Sequence, residues 1–209
     1  DNSMYIDDNW NPVSGEELEG FLSQVNPVDN KYQTNPATTE VAWRMLPFYD
    51  QVAMIRLKDP NWSPSNLVLY YLTDQGNLYR LNGTSPNIHE VNAKAPIKVT
   101  EDNVLEYLRF FCFFVRGEEG PFLIAESIDD PYLPKDLDEK TASVITNTIH
   151  SANFKGMNEQ GHFLCDAVVF YSNALFEAQF AVQPSGMIEM LDDDPIAIDL
   201  PTRVDAPIS

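Results

Sequence analysis

Two runs near the C-terminal end, Phe163 to Tyr171 and Ala174 to Val182, are separated only by Ser172-Asn173. A two-residue loop with a residue able to take positive φ is the strongest short-range signal for a β-hairpin. Closing the hairpin there pairs Tyr171 with Ala174, Val169 with Phe176, Cys165 with Phe180 and Phe163 with Val182. Every residue on that face is then apolar: Phe163, Cys165, Ala167, Val169, Tyr171, Ala174, Phe176, Ala178, Phe180 and Val182. Slipping the pairing by one residue would turn the whole set to the opposite side, so the pattern itself selects the register. Pro184-Ser185-Gly186 fits a three-residue turn with glycine in the left-handed position. It leads into a third strand in which Ile188 and Met190 join the apolar face.

The opposite face of this meander is mixed. It carries Leu164, Asp166, Val168, Phe170, Leu175, Glu177, Gln179, Ala181, Met187, Glu189 and Leu191. Asp166 falls opposite Gln179 and Val168 opposite Glu177, which makes the two carboxylates diagonal neighbours, while Ala181 falls opposite Glu189. One reading of this face is an ordinary solvent face. The other is a groove or partner surface with Asp166, Glu177, Gln179, Glu189 and Phe170 as binding residues, in which crowding of like charges raises a carboxyl pKa as acid/base chemistry requires.

Upstream, residues 101 to 116 predict a helix. Thr100 is the N-cap, Glu101 and Asp102 oppose the dipole, and Gly117 is the stop. Its C-terminal half is apolar nearly all round, so it must pack on a sheet. Ser14-Gly15-Glu16-Glu17 is a capping box opening a short helix to about Val25. Asn35-Pro36 reads as the start of another, with Val41, Met45 and Leu46 as its stripe. Period-two runs predict strands over Val52 to Leu57, Leu67 to Leu72 and Asn77 to Asn82, the last two closed by the four-residue loop Thr73-Asp74-Gln75-Gly76. Residues 83 to 99 read as a loop, Pro121 to Glu126 as a strand, and 141 to 155 as a strand because of their β-branched residues.

The expected architecture is α+β: a twisted antiparallel sheet of about six to eight strands packed against one long buried helix, ending in the β-meander. Residues 1 to 209 read as a single domain, with 1 to 48 an irregular acidic arm carrying short helices.

Charge narrows the partners. The net charge is −19, with 32 acids against 13 bases spread along the chain. No basic patch is left for a phosphate backbone or an anionic membrane, so cationic partners are the electrostatically natural ones. No apolar run reaches the length of a membrane span, the most apolar stretch being Phe110 to Val115. A soluble protein is expected.

Motifs for chemistry are sparse. His89, His150 and His162 have no paired spacing, Asp192-Asp193-Asp194 lacks the alternating oxygens of a calcium loop and reads as a solvated turn, and no phosphate-binding glycine pattern is present. No metal site and no cofactor are read from the sequence. Cys112 and Cys165 lie in apolar runs, and a strand would turn His162 and Cys165 to opposite faces, against a Cys-His nucleophile. Two buried free thiols favour the cytoplasm, against a secreted chain whose signal peptide has been removed. The leading functional reading is a non-catalytic protein-interaction domain with a basic or amphipathic partner, or one that self-associates. The alternative is a small-molecule-binding domain or a carboxylate-dependent, hydrolase-type enzyme using the mixed face.

Overall fold

The computed structural model describes residues 9–28 and 31–202. It is α+β, with four helices and two antiparallel sheets of five strands each, rather than one larger sheet. The chain divides into two compact units, with Pro96 and Ile97 on either side of the boundary.

The N-terminal unit is a meander of β1 (Asn11–Val13), β2 (Glu40–Met45), β3 (Val52–Lys58), β4 (Val68–Asp74) and β5 (Asn77–Arg80), each paired with the next. α1 (Gly15–Val28) buries Leu22 and Val25 in a cluster with Val41, Ile55, Leu57, Trp62, Leu67, Leu69 and Tyr71. The helix expected from Asn35 is instead one turn followed by β2. Asn35 caps that turn through its side chain, which accepts from Ala37 N at 2.9 Å. Thr38 and Thr39 then donate to the Asp59 carboxylate at 2.9 and 2.7 Å. Asp59 thereby pins the chain where a helix would have continued, and Val41 and Trp43 enter the ladder against Leu57 and Ile55.

The β4–β5 hairpin closes through two residues, not four: Gln75 and Gly76 both take positive φ, and Asp74 pairs with Asn77. The slip relative to expectation is by two residues, so every side chain keeps its face. β4 is interior, and Leu69, Tyr70, Tyr71 and Leu72 are all buried. The loop expected over 83–99 contains α2 (Pro86–Lys94), started by Ser85-Pro86 and held by Ile88 and Val91, which are both fully buried.

In the C-terminal unit, α3 (Val104–Phe114) begins after an Asn103 cap, three residues later than expected. Seven of its eleven residues are buried, Tyr107, Phe110 and Phe114 completely. β6 (Leu123–Ala125) and β7 (Asn153–Met157) both pair with β8 (Phe163–Tyr171), which pairs with β9 (Ala174–Val182), and β9 with β10 (Ile188–Ala197). The β8–β9 register is the expected one throughout, from Phe163↔Val182 to Tyr171↔Ala174. The positive φ of its turn falls on Ser172, not Asn173, and Gly186 supplies the next.

The ties of α3 run to both ends of this hairpin. Tyr107 Oη donates to the Gly186 carbonyl in the β9–β10 turn. Just past the helix, Gly117 lies against Tyr171, an apolar-face residue whose ring stacks on Phe122 at 4.3 Å. Arg109 adds a two-toothed clamp on Glu126, at 2.9 and 3.0 Å, beyond β6.

Residues 139–148 form α4 (Glu139–Thr148), not a strand. Asp138 caps it by accepting from Thr141 N at 2.7 Å, and the hydroxyls of Thr146 and Thr148 bond back to carbonyls four residues earlier. Only Ile145 is buried, so the β-branched residues that suggested a strand mostly face water.

Candidate functional site

The mixed face of the C-terminal sheet is unevenly covered. At the end holding Val168, Phe170 and Leu175, all three residues are completely buried, so Phe170 is core and not a ligand contact. Along the rest of the face, Asp166 and Glu177 are partly exposed and Gln179 is exposed. The expected pairings hold: Asp166 faces Gln179, Val168 faces Glu177, and Ala181 faces Glu189.

Between Met190 and Asp192 the β9–β10 register shifts, and this changes which β10 residues stand opposite the acids. Leu191 drops out of the pairing, Asp192 comes opposite Gln179, and Asp194 opposite Glu177. The Asp192-Asp193-Asp194 run is therefore strand, not turn.

Asp166 and Glu177 gain a neighbour that the sequence left scattered. After α4 the chain turns through Ile149, His150 and Ser151 before entering β7, whose Asn153 pairs with Asp166. This delivers His150 to the mixed face. Its Nε2 lies 2.7 and 2.8 Å from the two Glu177 oxygens, and its Nδ1 lies 2.6 Å from the Ser151 carbonyl. Both partners are acceptors, so both ring nitrogens must carry protons to satisfy them. Burial works against that charge. The Ser151 carbonyl, the Glu177 carboxylate and the Asp166 charge outweigh it and hold the His150 pKa above its ordinary value.

Donor atoms of His150, Asp166 and Glu177 all lie within 4.8 Å of one another. Asp166 Oδ1 is buried and has no hydrogen-bond partner, and Lys155 Nζ stands 4.0 Å from the other oxygen. Glu189 is not part of this group. Its pairing partner Ala181 sits opposite Leu164, two positions along β8 from Asp166. A cavity of about 190 Å³ adjoins Asp166, walled by Lys155, Leu164, Gln179, Phe180 and Leu191. Cys165 also borders it but is 2% exposed. Burial, then the neighbouring Asp166 charge, pushes its thiol up to about 12, so it is not a nucleophile. Burial alone does the same to Cys112.

Compared with known proteins, the chain gives no significant match to a family model, a curated protein or a solved structure. Among the described residues, no helix is long and apolar enough to cross a membrane.

Proposed function

We propose that this chain is a non-catalytic protein-interaction domain that docks a basic, partly apolar partner on the exposed edge of its C-terminal sheet. The observation that carries this reading is the state of β10. It is the edge strand, and residues 189–195 are exposed without a break, with acids at Glu189, Asp192, Asp193 and Asp194. Among the described residues, no basic side chain pairs with any of these four. Exposed Met187, Met190 and Leu191 lie beside them, at 47%, 39% and 50% exposure. Uncompensated like charges next to apolar surface complement a cationic amphipathic segment, and they repel a second copy of a chain carrying −19.

The partner is not expected to extend the sheet as a further strand. Pro195 lacks an N–H, and the register shifts at 190–192 and 195–197 disrupt the edge, both of which oppose ladder growth. Contacts through side chains remain. The small-molecule alternative is weaker, since the cavity beside Asp166 falls below the roughly 300–1,000 Å³ of ordinary ligand pockets.

The test is a titration of the full chain with a labelled peptide alternating lysine and leucine, followed by anisotropy. Exposed ion pairs contribute about 0.2–1 kcal/mol each, so the D192N/D193N/D194N variant is expected to bind roughly tenfold more weakly. Raising salt should weaken the wild-type complex. Binding that ignores both the substitutions and salt would overturn the proposal, as would no binding at low salt.

A further inference from the structure

We infer that His150, Asp166 and Glu177 form a site for a divalent transition-type cation, with Zn²⁺ as its best probe. The inference rests on residues separate from the β10 edge acids. One imidazole nitrogen and two carboxylates come from three parts of the fold: the turn between α4 and β7, β8, and β9. Metal–ligand bonds of about 2.0–2.2 Å in a tetrahedral site place donor atoms roughly 3.3 Å apart. The present separations run from the 2.7 Å His150–Glu177 contact to a maximum of 4.8 Å.

The surroundings of the imidazole are those of a metal ligand. A coordinating histidine commonly donates its other ring N–H to a carbonyl, which fixes the tautomer and aims the free nitrogen. Here Nδ1 meets the Ser151 carbonyl at 2.6 Å, and Nε2 faces the carboxylates and would release the proton it shares with Glu177 on taking a metal. Asp166 supplies a separate reason. The His150–Glu177 pair accounts for those two groups, whereas Asp166 Oδ1 remains buried with no donor, a costly state for a carboxylate oxygen. A cation held among the three would give the Asp166 carboxylate a direct counter-charge.

Donor chemistry and exposure decide the kind of cation. Calcium and magnesium favour oxygen ligands, six to eight in number for calcium, whereas an imidazole with carboxylates suits zinc and its first-row neighbours. His150, Glu177 and Asp166 side chains retain 32%, 30% and 19% exposure, which leaves water access to a fourth position.

Isothermal titration of the full chain with ZnCl₂ alone, in a non-chelating buffer, tests the site. One saturable equivalent is expected. His150→Ala and the near-isosteric Asp166→Asn should each weaken it at least about tenfold, with circular dichroism confirming that both variants are folded. D192N/D193N/D194N, which removes the Asp194 charge opposite Glu177 but no ligand, should weaken it less than His150→Ala does. Diffuse attraction to the acidic surface gives the reverse pattern: loss in the triple variant and none in His150→Ala. That result, or no saturable binding, overturns the inference. The triple variant also separates this site from the proposed docking edge, whose peptide binding it is expected to weaken.

Discussion

Two positions carry more of the C-terminal unit than their size suggests. Gly117 sits where a Cβ would lie 2.5 Å from Tyr171 Oη, 3.0 Å from Tyr171 Cζ and 3.1 Å from Phe122. The Tyr171 hydroxyl also accepts from Glu119 N, and its ring is held flat on Phe122, so it has little room to yield. Gly117→Ala is expected to lose about 1–3 kcal/mol by overpacking, read from urea denaturation. The second position is Arg109. Its clamp on Glu126 leaves the side chains 12% and 18% exposed. Burial pushes the Glu126 carboxyl up, but hydrogen bonds and charge from Arg109, with the Ala152 N–H, outweigh it and hold the pKa below its ordinary value. A depressed carboxyl stabilises the fold above its unfolded pKa and loses that contribution as pH falls through the folded value. Arg109→Met should therefore cost about 3 kcal/mol at pH 7, and less as pH falls below about 4, which denaturation across pH would show. An equal loss at both pH values would refute this role.

At the scale of elements, the hairpins show what was legible and why. β8 and β9 could be placed residue by residue because strict alternation and a two-residue loop leave no other register that buries the apolar set. The first hairpin slipped by two because Gln75-Gly76 alone makes the turn, a distinction that even spacing conceals. β2 was hidden behind Asn35-Pro36, a genuine turn signal whose helix stops after one turn at the Asp59 anchor, 20 or more residues away. α4 was hidden by its own composition, though Asp138 three residues before Thr141 was a readable cap. This error also concealed the His150 cluster. With residues 141 to 155 taken as strand, nothing placed His150 beside two acids that the meander had already brought together. Asp138→Ala is expected to destabilise by about 1 kcal/mol and to speed amide exchange first over residues 142–148.

For the whole molecule, charge is the dominant fact. A net charge of −19 on 209 residues opposes compaction through self-repulsion that salt screens. Thermal stability should rise with NaCl at low ionic strength, while affinity for a cationic peptide falls over the same range. A fold whose stability fell with added salt would mean that attractive pairs outweigh the repulsion. The fold class was readable from patterning, but the division of strands into two sheets was not. It depends on which strands find one another across the chain, and alternation within a strand carries no such information.

The most direct test of the proposed docking edge is an amide chemical-shift map of the full chain with the lysine–leucine peptide. The account predicts perturbations concentrated on Met187 to Asp194, along the exposed start of β10. A footprint centred elsewhere, with β10 unmoved, would contradict it.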